Sequence, residues 1–492
     1  MTIPTEQTAT ASLLERLAGQ AARETHISAV FIGADTVWKL RKAVRLAFLD
    51  FTTMGERERT ARREITLNSN SAPGLYRDVV AVTRSPDGLA LGGAGEVVDW
   101  VVRMARVPDA DFLDVIAARG EIAPELLDQI ADAVVADHAG RPSASCNQVA
   151  ALREVAEGNA RAARAAGLDD ARVGAWLAAM RAAIATRETL LAERSRAGFV
   201  RRAHGDLHLG NMCLWRGRPA PFDALEFDEA LATIDLGYDL AFLLMDLEHR
   251  AGRASANRVL NRYVGRTGDA ALAGLLPPFL SMRAMVRAHV AAARNQAEEA
   301  ATYLDTAEAR LRSVAPVVVA IGGLPGTGKS TLARRLAPAL GAAPGALILR
   351  SDEIRKRLRG VAPEERLPAD AYAPKFSDRV LATLTHEAEA ARSGGHAVIA
   401  DATFMDDAHR MAIQRAAGDA PFLGIWLHAP LAVLEQRIAA RHGDASDADV
   451  TVLRRAAASD PGPGGWLAVD ATGADGGLGA VQRAVRALGS LC

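Results

Sequence analysis

Val317-Val318-Val319-Ala320-Ile321, then Gly323-Leu324-Pro325-Gly326-Thr327-Gly328-Lys329-Ser330-Thr331, is the stretch on which the fold turns. A short, fully apolar, β-branched run is typical of a parallel strand buried on both faces. Here it feeds a glycine-rich turn and then a helical pattern from Lys329 to Leu340. Strand, turn and helix in this order give G-x-x-x-x-G-K-S the context it needs to hold phosphate. Glycines let the backbone aim its N–H groups inward beside the helix N-terminus, Lys329 adds a cation, and Ser330 offers a hydroxyl to magnesium. Gly323 to Thr331 is therefore the expected nucleotide cradle; the competing reading is a plain glycine-rich turn with an incidental Lys-Ser.

Working outward, similar apolar runs recur at 346–349, 397–400 and 422–427, separated by helical patterns around 376–392, 406–417 and 431–440. This alternation predicts a doubly wound parallel α/β domain over 314–492, whose ligands sit at the carboxyl ends of the strands. Asp352 and Asp401 follow such ends. We assign Asp401 to magnesium and Asp352 to the acceptor hydroxyl as base, with a helix N-cap as the alternative role for Asp352. Arg437 and Arg441, four residues apart before a polar loop, are candidates to meet the transferring phosphoryl group, and Arg355 and Arg410 have similar standing. Through GLPGTGKST, SDEIR and IADATF the segment resembles the small P-loop kinases that include gluconate kinase, polynucleotide 5′-kinases and zeta-toxin-like kinases.

Upstream, residues 25–105 read mostly as strands with a helix near 55–68, and 106–313 read mostly as helices. Between them lies His204-Gly205-Asp206-Leu207-His208-Leu209-Gly210-Asn211, an H-x-D-x-x-x-x-N spacing, followed by Asp223 and by Ile234-Asp235-Leu236-Gly237-Tyr238-Asp239-Leu240-Ala241. These residues resemble the aminoglycoside phosphotransferase-like family, which has a bilobal protein-kinase-like fold. The resemblance implies Asp206 as base, Asn211 and Asp223 as magnesium ligands, Asp239 as a brace for the loop, and Lys39 held by Glu64 as the partner of the ATP phosphates. Lys42 and Glu58 compete for those last two roles, and Val101 to Arg106 would be the hinge beside adenine. The chain departs from the pattern in lacking G-x-G-x-x-G before Lys39 and in lacking D-F-G, which leaves a pseudokinase as an alternative. His204 and His208 fit loop bracing better than a metal site, having no third ligand nearby.

At 492 residues, 49% hydrophobic and 24% charged, the chain has the composition of a multi-domain globular protein. Its 58 basic and 59 acidic residues leave a net charge of -1, which offers no global field for nucleic acid or an anionic membrane. Three scattered cysteines exclude a disulfide framework, and the absence of a long apolar run leads us to expect a cytoplasmic protein with no membrane partner. The whole resembles a bacterial fusion of an aminoglycoside phosphotransferase-like domain (1–313) with a P-loop kinase domain (314–492), α/β and α+β in class. The implied function is bifunctional transfer of phosphate from ATP, with Mg2+, to hydroxyls of small molecules. A regulatory P-loop ATPase with an inactive kinase-like domain, and a nucleic-acid 5′-kinase, are the alternatives.

Overall fold

Alternating apolar residues between Arg23 and Ala105 fold into a six-stranded antiparallel sheet in the computed structural model, which describes residues 2–46, 49–144, 146–440 and 445–488. Its strands are β1 (Arg23–Glu24), β2 (Ser28–Ile32), β3 (Thr36–Arg41), β4 (Tyr76–Ser85), β5 (Gly88–Leu91) and β6 (Glu96–Ala105), in the order β1-β2-β3-β6-β4-β5. The two-residue period sorts the side chains: Phe31, Leu40, Val82 and Val101 meet the helix Thr8–Ala18 on one face, while Val102 and Tyr76 join Ala61 of α1 (Met54–Asn68) on the other. The start of α1 is set by Thr53, whose hydroxyl accepts from the Glu56 N–H at 3.3 Å, with Glu56 at the acidic position of a capping box.

Two small antiparallel pairs, Val200–Arg202 with Thr233–Asp235 and Met212–Trp215 with Arg218–Pro221, frame the His204–Asn211 loop. The helical stretches over 236–267 and 276–310 are each broken in two. Gly252, at φ +84°, separates α2 (Leu236–Ala251) from α3 (Arg253–Thr267), and a turn through Asn295, at φ +60°, separates α4 (Leu276–Ala293) from α5 (Ala297–Arg310).

Packing divides the chain into two compact units, Met1–Ala151 with Ala192–Leu243, and Leu152–Leu191 with Leu244–Cys492. In the second, β7 (Val318–Gly323), β8 (Leu347–Arg350), β9 (Val398–Asp401), β10 (Phe422–His428) and β11 (Leu467–Asp470) form a wholly parallel sheet in the order β8-β9-β7-β10-β11. Helices α6 (Lys329–Leu336), α7 (Ser351–Leu358), α8 (Pro374–Ser393), α9 (Asp407–Ala416), α10 (Leu431–Ala439), α11 (Val450–Ala457) and α12 (Leu478–Ala487) follow in sequence. Val319, Ile321, Ile348, Ile399 and Leu427 bury against Leu332 and Leu336 of α6 and Val481 and Val485 of α12. α6 stops at Leu336 because Pro338 starts a short 3-10 turn.

Two features at the sheet edges went unanticipated. β11 is a mostly exposed edge strand, too short and too little apolar to announce itself. At the other edge α3 seals β8: Asn261 Oδ1 accepts from the Ile348 N–H at 2.6 Å, while the Asn261 and Asn257 amides donate to the Ala346 carbonyl at 3.2 and 3.1 Å. The side chains of a helix thereby replace a neighbouring strand.

Candidate active sites

The C-terminal site grows from the end of β7. Gly323 sits at φ +135°, and a Cβ there would lie 2.4 Å from the Leu427 carbonyl oxygen, so only glycine fits. Gly328, at φ +92°, precedes α6 with open space around its missing Cβ. The start of α6 opens on a cavity of about 440 Å³ lined by the loop from Pro325 to Thr331. Thr327 is buried, its hydroxyl donating to the Leu324 carbonyl at 2.8 Å. Lys329 Nζ lies on the Gly323 and Leu324 carbonyls at 2.9 and 3.0 Å, inside the curve of the loop.

Parallel pairing puts Asp401 beside Ile321 on one side and Arg350 on the other. The Ser330 hydroxyl donates to Asp401 Oδ2 at 2.5 Å, and Arg350 Nε is 3.4 Å from the same oxygen. A hydroxyl and a carboxylate meeting beside a glycine cradle are hard oxygen donors of the kind magnesium takes, so these residues fit the ion. Asp352 lies in the first turn of α7, whose N-cap is Arg350, so the alternative capping role does not hold. Burial raises the Asp352 carboxyl above its ordinary value; the Arg350 charge and the Ser446 hydroxyl oppose this, and Asp401 reinforces it.

The arginines divide. Arg437 lines the cavity and donates to the Ala471 carbonyl at 2.8 Å. Arg410 is buried over the rings of Trp426 and Trp466, with Nε on the Phe404 carbonyl at 2.8 Å, and Arg355 donates to the Ala371 carbonyl at 2.6 Å. Both brace loops and do not face the cavity lining. Arg441 lies outside the described residues. The loop after β11 was missed: Ala471 and Gly473 to Gly476 close the cavity opposite the phosphate loop, and Arg335 fixes it through the Asp475 carbonyl at 2.8 Å. Its only sequence signal was a glycine cluster following an unrecognised strand.

The N-terminal site gathers residues far apart in the chain. Lys39 Nζ lies 2.7 Å from Glu64 Oε1 and 2.5 Å from Asp223 Oδ1. Lys42 instead pairs with Glu24 at 2.7 Å, and Glu58 with Arg62 at 2.9 Å. Burial would raise the Asp223 carboxyl, but Lys39 and Arg41 bring it below its ordinary value. Asp223 stands at φ +60°, its N–H on the Tyr76 hydroxyl at 3.0 Å. The Asn211 amide donates to Asp206 Oδ2 at 2.9 Å, and Asp206 keeps 42% of its side chain exposed, open to an acceptor. Asn211 and Asp223 again offer oxygen ligands that fit magnesium.

Asp239 takes the His204 and Gly205 N–H groups at 3.0 and 2.9 Å, which fixes the start of the loop. His204 is buried; the Asp206 N–H donates to its Nδ1 at 3.3 Å, so its proton sits on Nε2, 2.9 Å from the Phe222 carbonyl. Both nitrogens are committed to bracing. Burial lowers its pKa below the ordinary imidazole value, against the pull of Asp239. Among the described residues no group of three or more His, Cys, Asp or Glu could hold a metal ion. In place of a glycine-rich loop, β2 and β3 are joined by a tight turn closed by the Gly33 N–H on the Thr36 carbonyl at 2.8 Å. Arg41 and Glu226, also missed, stand beside Glu64 with Arg41 Nη2 2.5 Å from Glu226 Oε1.

The AAA domain family matches residues 317–460. Over 457 residues, 89% of each chain, the sequence is 31% identical to the uncharacterized protein Rv2004c of Mycobacterium tuberculosis H37Rv and equally to Mb2027c of Mycobacterium bovis. The chain belongs to their family. Among solved structures it is similar to a gluconokinase from Sinorhizobium meliloti (20% identity, 36% of this chain and 97% of that one, TM-score 0.26). It is also similar to the GDP complex of aminoglycoside 2′-phosphotransferase-IIIa (13%, 63% and 99%, 0.37) and to a choline/ethanolamine kinase family protein from Mesorhizobium loti (14%, 62% and 96%, 0.37). The family match over the phosphate loop supports an ATP-dependent phosphotransferase in general terms. No helix among the described residues is long and apolar enough to cross a membrane.

Proposed function

We propose that this family member is a bifunctional kinase that uses ATP and Mg2+ to phosphorylate hydroxyl groups of small molecules, with its C-terminal loop as the principal nucleotide site. The observation that carries this is the meeting of Ser330 with Asp401 at 2.5 Å beside Lys329, at the edge of a cavity of about 440 Å³. There the loop N–H groups and Lys329 bind the β- and γ-phosphates, while Ser330 and Asp401 would hold the ion. Bound magnesium neutralises phosphate charge. Asp352, its carboxyl raised above its ordinary value by burial and so made a stronger base, takes the acceptor's hydroxyl proton. As that oxygen bonds to the γ-phosphorus, the bond to the bridging oxygen breaks and ADP leaves.

In the N-terminal site Lys39, steadied by Glu64, meets the α- and β-phosphates, Asn211 and Asp223 would hold the ion, and Asp206 accepts the proton. What supports an active site here is that all five groups are present and gathered, despite the departures around the turn before β3. ADP release measured across a panel of sugars, aminoglycosides and nucleosides tests both halves. Lys329→Ala and Asp206→Ala should each abolish, by about 100-fold or more, a different acceptor-dependent activity. If every activity falls with Lys329→Ala and none with Asp206→Ala, the bifunctional reading fails.

A further inference from the structure

Lys39 and Arg41 are two residues apart on β3, so strand geometry sends both side chains toward α1. Glu64 therefore meets two cations, Lys39 on Oε1 at 2.7 Å and Arg41 on Oε2. Arg41 continues to Glu226 Oε1 at 2.5 Å, and its side chain is 2% exposed against 4% for Glu226. Glu226 lies in the same short segment as Asp223, the carboxylate that Lys39 reaches at 2.5 Å. The contacts close a ring: Lys39, Glu64, Arg41, Glu226, the chain back to Asp223, and Lys39 again.

We propose that Arg41 and Glu226 are positioning residues of the N-terminal site, tying α1 and the Asp223 segment to β3 so that Lys39 faces Asp223 before nucleotide arrives. The proposal rests on the N-terminal phosphotransferase reading. Buried ion pairs contribute little net stability over apolar side chains of the same volume, so the three charges of Glu64, Arg41 and Glu226 packed behind Lys39 are better explained by the geometry they impose. Without Arg41, Lys39 alone would face Glu64, Asp223 and Glu226. Without Glu226, Arg41 would turn its full charge on Glu64 and compete with Lys39 for it. The other ties on this segment, the Asp223 N–H on the Tyr76 hydroxyl and the Ala224 N–H on Asn68 Oδ1, both at 3.0 Å, fix its backbone but leave that competition unbalanced.

The test uses the full-length Lys329→Ala protein, in which the C-terminal loop is disabled, and titrates mant-ATP with and without MgCl2 alongside thermal unfolding. Arg41→Met should weaken magnesium-dependent binding about tenfold or more, and Arg41→Lys should return it to within about threefold of the parent. The pair Arg41→Met/Glu226→Leu, with no unbalanced charge, should recover the melting temperature yet still bind weakly. A merely structural pair would restore binding together with stability, and that result, or parent-like binding by Arg41→Met, overturns the proposal. If Arg41→Met does not fold, Arg41→Lys and the neutral pair still decide the matter. If the Lys329→Ala parent shows no mant-ATP binding that Lys39→Ala removes, the N-terminal phosphotransferase reading itself falls and the proposal with it.

Discussion

Replacing Asp239 gives a direct measure of what holds the HGD loop. Its carboxylate is fully buried, accepting from Gly205 N–H on Oδ1 at 2.9 Å and from His204 N–H on Oδ2 at 3.0 Å, with His138 Nε2 3.3 Å from Oδ2. Hydrogen bonds to a charged group contribute about 1.5–3 kcal/mol each, so Asp239→Ala, which strands two buried backbone donors, should cost about 3–6 kcal/mol. Asp239→Asn keeps one acceptor oxygen but sets an NH2 against the other donor, for about half that cost. Against a total stability of about 5–15 kcal/mol the alanine variant should open the loop even where the protein stays folded. Hydrogen exchange of peptides spanning 203–211 reads this locally: protection should fall in the order Asp, Asn, Ala, with Asp206-dependent turnover falling in step. Unchanged exchange in Asp239→Ala would refute the reasoning, because the two donors would then have other acceptors.

Gly323→Ala drives a Cβ to 2.4 Å from the Leu427 carbonyl at a φ of +135°; nucleotide binding should vanish and stability drop by about 2 kcal/mol or more, and a wild-type melting temperature with intact mant-ATP binding would contradict it. Burial lowers His396 to about 4, with Nε2 2.9 Å from the Gly345 carbonyl. Between pH 6.5 and 4 the unfolded chain takes up a proton that the folded one refuses, so this residue's contribution is complete above about 6.5 and is lost as pH falls, at about 1.4 kcal/mol per pH unit. Denaturant titrations of His396→Asn from pH 4.5 to 7.5 should show a pH slope shallower by that amount, and identical slopes would disprove the burial account. Asn261→Leu leaves the Ile348 N–H at the β8 edge without its 2.6 Å acceptor; a loss of about 1–3 kcal/mol is expected in urea unfolding, and no loss would mean the edge is satisfied otherwise.

What could be seen in the sequence was what one continuous stretch encodes. Val317 to Ser330 carries strand, turn, cation and hydroxyl within a single supersecondary unit, so the cradle was recognisable before any tertiary contact was known. Asp352 and Asp401 were recoverable because parallel strands deliver their carboxyl ends to one edge. Lys39 and Glu64 came only through resemblance, and choosing them over Lys42 and Glu58 took the packing of α1 on the sheet. Arg41 and Glu226 gave no local sign, since a buried arginine on a strand looks like an exposed one until its partner, far along the chain, is placed. Asn257 and Asn261 gave no local sign for the same reason, since only with β8 beside them do their amides meet the Ala346 carbonyl.

The departure from D-F-G connects to the strain at Asp223. One residue here lies in the left-handed region that glycine takes most easily, and with Ala224 and Leu225 following, no glycine is at hand to take it. Asp223 takes it itself, at φ +60°, a conformation aspartate tolerates better than most residues but still at some cost. The surroundings hold it there from three directions: the Tyr76 hydroxyl on its own N–H, Asn68 on the next N–H, and Lys39 on the carboxylate. Two of these are neutral hydrogen bonds to the backbone and could serve any residue at that position. The contact that requires an acid is the one with Lys39, so the strained backbone at Asp223 is the means by which a carboxylate is set against that lysine, with Arg41 and Glu226 packed behind it.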